Sequence, residues 1–225
     1  MGIHDGHRAR LKTEFLQRPA SFPDHKVLEL LLFYANPRSD TNPMAHALLE
    51  RFGSLSGVLD AAPDELMKTP GVGLHTVTLL KCVKEMAGRY LVSRTDSDSI
   101  IDSTVKAVAA LRPYFFGARQ EKVYVLCTDG KGRLLGIRPL SEGIMDMAPI
   151  LYRQLMEAVL SLNASKVILA HNHVSGLALP SPEDKLATNG VRELLRLVHI
   201  ELSDHLIFCD DDAVSMRESG FWEKD

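Results

Sequence analysis

The sequence is poor in the features that mark extracellular, membrane-spanning or polyanion-bound proteins. Its three cysteines, Cys82, Cys127 and Cys209, are scattered and odd in number, and no two form a Cys-x-x-Cys pair. Neither a disulfide framework nor a cysteine-built zinc ribbon is encoded, so the thiols read as reduced. Uninterrupted apolar runs such as 30–35 and 167–170 fall far short of the roughly 20 residues that cross a bilayer. The polar, basic stretch 1–11 has no apolar run behind it, so no secretory signal is expected, and the expected setting is the cytoplasm without a membrane partner. An excess of positive charge is missing as well. Lys and Arg number 26 against 29 Asp and Glu, a formal net charge of -3 at pH 7. Divided after Ser93, the first part carries 11 basic against 10 acidic residues and the remainder 15 against 19. A global case for nucleic-acid binding is thereby excluded, and only a local basic patch is left open.

What is present suits a folded chain of two small domains: 225 residues, 45% apolar and 24% charged. β-Branched runs are absent from residues 5–92, and apolar side chains there recur at helical spacing, as Met44, Leu48, Leu49 and Phe52 do after Asp40, a plausible N-cap. Residues 1–93 therefore read as an all-helical domain. The polar, turn-forming stretch 94–102 reads as a linker. Beyond it, helix 103–116 precedes a hairpin of strands 122–128 and 133–140 around Asp129-Gly130-Lys131-Gly132. Helix 150–162, strand 166–170, helix 182–198 and strands 201–209 and 213–216 follow. The expected class is α+β: a small helical domain, then an α/β domain with a mixed sheet over 103–225. No internal repeat or low-complexity segment interrupts it.

The chemistry concentrates at His171-Asn172-His173, followed by Gly176, Pro180, Ser181, Pro182 and Asp184. Histidines at i and i+2 leave a strand on one face, because side chains alternate with period two, so their nitrogens can converge on one ion. Asp184, in the first turn of the next helix, completes a His₂Asp set. Three protein ligands leave a fourth position for water, the catalytic type of zinc site, with one Zn²⁺ per chain. The plain structural alternative is that Ser181 is an N-cap, Pro182 an N1 residue, and Glu183 and Asp184 acidic residues suited to a helix start. Asp204 and His205 suit a supporting or core role better than ligation. Glu142, Asp146 and Glu157 read as solvated carboxylates.

The spacing His-x-His-x₇-Ser-x₂-Asp resembles the signature of JAMM (MPN/JAB1) metalloproteases. The words around it, Leu162-Asn163-Ala164, Val167 to His173, Pro180-Ser181 and Asp204-His205-Leu206-Ile207, resemble the RadC family of bacterial JAB-domain proteins. So do Gly6 to Leu11, Leu28 to Ala35, Asp40 to Pro43 and Leu49 to Leu55 in the first half. The resemblance implies a cytidine-deaminase-like JAB/MPN fold and a zinc hydrolase acting on a peptide or protein amide. It further implies that Glu121, leading into strand 122–128, is the general base that takes a proton from metal-activated water and returns it to the leaving amine. Ser181 is implied as the donor to the tetrahedral oxyanion. Two departures stand out. Val174 replaces the family's proline after the second histidine, and Tyr152-Arg153-Gln154 stands for its Pro-Arg-Glu, a change that bears on substrate preference.

A second constellation, Thr69-Pro70-Gly71-Val72-Gly73, lies between two helices and resembles the hairpin of helix-hairpin-helix DNA-binding modules. Gly71 and Gly73 would let backbone N–H groups approach a phosphate, with Lys81 and Lys84 following on the helix, so residues 69–84 are the expected DNA contact. The alternative is a tight interhelical turn that merely needs positive φ. Two functions therefore compete: the zinc hydrolase, and a DNA-associated accessory protein whose metal site is structural, in keeping with the DNA-repair label that the family resemblance carries. A nucleoside-deaminase reading lacks the His-x-Glu and Pro-Cys-x-x-Cys words it requires.

Overall fold

The computed structural model describes residues 3–94, 99–143, 148–174 and 176–222. Residues 95–98 of the expected linker, and Asp146, lie outside them. The chain divides into two compact units, 1–89 and 90–225. Helix α6 (Leu74–Ser93) begins in the first and ends in the second.

The first unit is helical throughout its described residues: α1 (Ile3–Gln17), α2 (Asp24–Ala35), α3 (Asn42–Phe52), α4 (Leu55–Asp60), α5 (Pro63–Met67) and most of α6. Leu28, Leu32, Met44, Leu48, Val58, Leu66, Val77 and Leu80, drawn from α2 through α6, form its core. Each such leucine stabilises by about 1.5–3 kcal/mol relative to exposure. The start of α3 departs slightly from expectation. Thr41, not Asp40, is the N-cap, while the Asp40 carboxylate accepts the Asn42 N–H at 3.0 Å one residue earlier.

In the second unit, α7 (Thr104–Leu111) precedes β1 (Lys122–Thr128) and β2 (Leu134–Glu142), the expected hairpin. Then come α8 (Ala148–Ser161), β3 (Lys166–Asn172), α9 (Pro182–Arg196), β4 (Glu201–Cys209) and β5 (Asp212–Ser215). The sheet order is β2-β1-β3-β4-β5, antiparallel except for the parallel pair β3 and β4, which α9 connects. Ser99 and Ile101, in the stretch read as linker, hydrogen-bond to the backbone of Leu134 and Gly132. Both sheet faces are covered, which is why β3 and β4 read as near-continuous apolar runs. On one face Val123, Val125, Val167 and Leu169 pack with Leu155 and Val159 of α8 and Val191 and Leu195 of α9. On the other, Leu126, Ala170, Leu206 and Phe208 pack with Ala107 and Leu111 of α7. The fold is thus α+β, a helical part followed by an α/β part around a mixed sheet.

Period-two alternation decides where the chemistry goes. His171 follows Val167 and Leu169 onto the α8/α9 face at the carboxyl end of β3. The crossover to α9 starts at that end, the customary place for a site in an open α/β sheet.

Candidate metal centre

Two local devices bring the three expected ligands together. The first is the end of β3. His171 pairs with Val123 of β1 and Ile207 of β4, so its backbone is fixed on both sides and its side chain is buried. His173, just past the strand, is held by its N–H to the Phe208 carbonyl at 2.8 Å. The second is the N-terminus of α9. Ser181 is the N-cap and Asp184 the N3 residue of a complete capping box. The Asp184 N–H reaches Ser181 Oγ at 3.1 Å, while Asp184 Oδ2 accepts the Ser181 N–H at 2.8 Å and its hydroxyl at 2.7 Å. The cap and the cluster therefore coexist, because the cap takes Oδ2, which also lies nearest His173, and leaves Oδ1 turned toward His171.

The result is a tight cluster. His171 Nε2 lies 3.0 Å from His173 Nε2 and 3.1 Å from Asp184 Oδ1, and His173 Nε2 lies 3.4 Å from Asp184 Oδ2. Their ligand atoms all fall within 4.8 Å of one another, and no other such group of three occurs among the described residues. His171 and Asp184 are buried and His173 partly exposed, so the cluster opens to solvent on the His173 side. Burial alone would raise the Asp184 carboxyl. Hydrogen bonding and charge from His171, with the two Ser181 donors, outweigh it and hold the carboxyl well below the usual carboxylate range.

The donor set fits a divalent ion. Two imidazole nitrogens 3.0 Å apart share at most one proton between them, whereas a cation satisfies both lone pairs and the carboxylate together. Each ring is also tied through its far nitrogen: His173 Nδ1 faces the Leu177 carbonyl at 3.1 Å and His171 Nδ1 faces His205 Nε2 at 2.8 Å. Ties of this kind fix the orientation of metal-binding histidines.

The other expected residues are placed as follows. Glu121 is partly buried one residue before β1, and its carbonyl accepts the Gly143 N–H at 2.8 Å. The β1·β3 pairing ends at Val123 and His171, so Glu121 and His173 each lie two residues beyond it, at the same end of the two strands. The intervening Asn172 clamps this end of β1, its Oδ1 accepting the Lys122 N–H at 2.8 Å and its Nδ2 donating to the Gln120 carbonyl at 3.3 Å. Ser181 reaches the cluster, but its hydroxyl proton goes to Asp184; service as an oxyanion donor calls for that hydroxyl to turn away.

The hairpin belongs to the first unit. Val72 N–H donates to the Thr69 carbonyl at 3.1 Å across Pro70 and Gly71, and Gly71 has φ +80°, the pattern of a type II turn. Gly73 needs no such conformation. Lys81 points to the carbonyls of Leu59, at 2.7 Å, and Ala61, and Lys84 pairs with Asp60 at 2.6 Å. Both ammonium groups thus join α6 to the end of α4, an engagement that spacing alone does not reveal.

Asn172, Thr188 and the Leu177 carbonyl were not singled out by the sequence. Asn172 had a legible signal in its place between two histidines on the opposite face. Thr188 is one helical turn beyond Asp184, and its hydroxyl donates to the Asp184 carbonyl at 2.5 Å. His205, expected in a supporting role, meets Thr188 Oγ1 through Nδ1 at 2.6 Å. Burial, and secondarily the neighbouring His171, keep His205 well below the ordinary histidine pKa.

Residues 101–221 match the RadC-like JAB domain, and a UPF0758 protein of Burkholderia thailandensis is 34% identical over 90% of this chain and 78% of its own. The chain belongs to the RadC family. UPF0758 proteins of Burkholderia mallei and Burkholderia pseudomallei are each 35% identical over 90% of this chain and 73% of theirs. The matched RadC-like domain holds His171, His173, Asp184, Glu121, Ser181 and His205. The alignment with the first relative spans 204 residues, more than the second unit contains, so the kinship extends into the helical unit.

Proposed function

We propose that this RadC-family protein is a zinc-dependent hydrolase of the JAMM type, cleaving a peptide or isopeptide amide in a protein substrate. The observation that carries the reading is the convergence of His171 Nε2, His173 Nε2 and Asp184 at 3.0–3.4 Å on a spot open at one side. The three residues would hold one ion and leave a position for solvent. A zinc ion so held supplies a Lewis acid that polarises the scissile carbonyl and lowers the pKa of water to about 7.

The protein's own groups do the rest. Glu121, two residues before the Val123–His171 pair, takes the proton from the attacking water and passes it to the departing nitrogen. Asp184, held by Ser181, keeps its negative charge beside the two rings and offsets the charge of the ion. The Ser181 hydroxyl, turned from Asp184, donates to the oxygen of the tetrahedral intermediate. Asn172 fixes the start of β1 against β3 and so sets the height of Glu121 relative to the ligands.

The test is amide hydrolysis of a peptide library by zinc-loaded protein, compared with Glu121→Gln. The variant is expected to retain zinc and to lose turnover by a factor of about 10²–10⁴, the usual worth of a general base. Equal rates in the two proteins would remove Glu121 from the reaction.

A further inference from the structure

Behind His171, away from the point where the ligands meet, runs a buried file of hydrogen bonds. His171 Nδ1 faces His205 Nε2 at 2.8 Å, His205 Nδ1 faces Thr188 Oγ1 at 2.6 Å, and Thr188 Oγ1 faces the Asp184 carbonyl at 2.5 Å. His171, His205, Thr188 and Asp184 are all buried, each 4% exposed or less. The protons along this file can be placed one after another.

A carbonyl only accepts, so the contact at 2.5 Å requires Thr188 to donate its single hydroxyl proton there. The other neighbour of that hydroxyl, the Met216 sulfur at 3.6 Å, is also only an acceptor, so sending the proton there changes nothing further on. With its proton committed, Thr188 can only accept from His205, and His205 Nδ1 carries the hydrogen. A neutral imidazole has one N–H, so His205 Nε2 is bare and accepts from His171. His171 Nδ1 therefore carries the hydrogen, and its Nε2 is bare. That atom is the one facing His173 and Asp184. The opposite polarity would set two lone pairs against each other at 2.5 Å between Thr188 and Asp184. The chosen polarity has a cost of its own in the metal-free protein, because the bare His171 Nε2 then faces the Asp184 carboxylate at 3.1 Å and His173 Nε2 at 3.0 Å, lone pairs that only an ion satisfies. Those contacts are longer than the one at 2.5 Å and open on the solvent side, where the file behind His171 is closed.

We propose that Thr188 and His205 are positioning residues that fix His171 as the Nδ1–H tautomer, presenting a bare Nε2 to the ligand cluster before any ion arrives. The anchor of the file is the backbone carbonyl of Asp184, so the peptide group of one ligand sets the tautomer of another. The Leu177 carbonyl does the same for His173 in a single step. The inference deepens the metal-site reading and rests on it for its purpose, but its first test needs no metal.

Metal-stripped protein carrying ¹⁵N-labelled histidine, studied by two-bond ¹H–¹⁵N correlation above the histidine titration range, reports the tautomer directly. His171 is expected with a protonated Nδ1 and a bare Nε2. Protonated Nε2 on His171 in the folded, metal-free protein overturns the proposal, whether or not zinc binds. Thr188→Val is expected to release the tautomer and weaken zinc binding, read by competition with a chromophoric chelator, by about tenfold or more; Thr188→Ser restores both. His205→Gln keeps an acceptor for His171 and should stay within a few-fold of the parent, while His205→Leu loses about tenfold to a hundredfold. Folded Thr188→Val and His205→Leu proteins that bind zinc like the parent would also overturn it. If Thr188→Val does not fold, the parent tautomer and the pair at 205 decide. The expected tautomer in a protein that takes up no zinc would sink the metal reading and leave the tautomer assignment standing.

Discussion

Asp184 has two carboxylate oxygens, and only one of them takes the helix cap. Oδ2 closes the capping box of α9, while Oδ1 faces His171. The helix cap thus locks the rotamer that turns Asp184 toward the two histidines, so Ser-x-x-Asp caps the helix and closes the cluster with one geometry. The depressed pKa of Asp184 makes a pH prediction for the metal-free protein. A carboxyl held below its unfolded value contributes stability that is present above the ordinary carboxylate range and is lost as pH falls through the folded value. Asp184→Asn should therefore flatten the acid limb of the stability curve below about pH 4, measured as the urea midpoint against pH. A limb as steep as that of the parent would mean that Asp184 gains nothing from its partners. At this scale the convergence of His171, His173 and Asp184 and the Ser181 cap were readable from spacing, because period-two alternation and capping are local rules. Thr188 and the Leu177 carbonyl were not, since an ordinary helical threonine and a backbone oxygen acquire roles only when the fold brings them to a histidine.

Among the elements, α8 and α9 lie over the same face of the sheet, and one close approach governs how they meet. Gly190 of α9 sits against Tyr152 of α8: a Cβ at 190 would meet the tyrosine hydroxyl and come within 3.1 Å of Cζ. Tyr152 stands at one of the two positions, with Gln154, where this sequence differs from the Pro-Arg-Glu expected from the resemblance, and its ring has a counterpart across the helix pair. In an exposed helix, Gly→Ala gains about 1 kcal/mol. Here overpacking of about 1–3 kcal/mol opposes it. Gly190→Ala should destabilise the protein, and Tyr152→Phe, by removing the hydroxyl, should recover about 1 kcal/mol of that loss in a double-mutant cycle read by denaturant midpoints. Additive effects would show that ring and glycine do not compete for space. The strands were legible in number and order, since β-branched alternation and the Asp-Gly turn leave few alternatives, though β2 and β3 each run two residues past their expected ends, to Glu142 and Asn172. Helix edges differ as well: α9 stops at Arg196, two residues short of expectation, because the chain must turn through His199 at φ +56° to enter β4.

For the whole molecule, two units with separate cores predict an uneven response to metal. At a hundredfold excess over Kd, a ligand bound only by the native state stabilises it by about 2.7 kcal/mol. Hydrogen exchange with and without zinc should show increased protection concentrated in β3, β4 and α9, which carry or brace the ligands. An equal increase in α2 and α3 would contradict a metal site built within the second unit. Among the described residues no helix is long and apolar enough to cross a membrane. Net charge, even when divided between the halves, could show that no strong basic excess exists. It could not show that Lys81 and Lys84 are engaged by Leu59, Ala61 and Asp60, because those contacts arise from tertiary packing of α6 against the end of α4.

The account stands on one ion held by His171, His173 and Asp184. Its most direct measurement is metal content and zinc titration of the purified chain beside His173→Ala. One equivalent of zinc per chain, lost in a His173→Ala protein that remains folded, is the predicted result. A folded parent that binds no zinc from metal-replete solution, or a His173→Ala variant that binds it undiminished, would contradict the account.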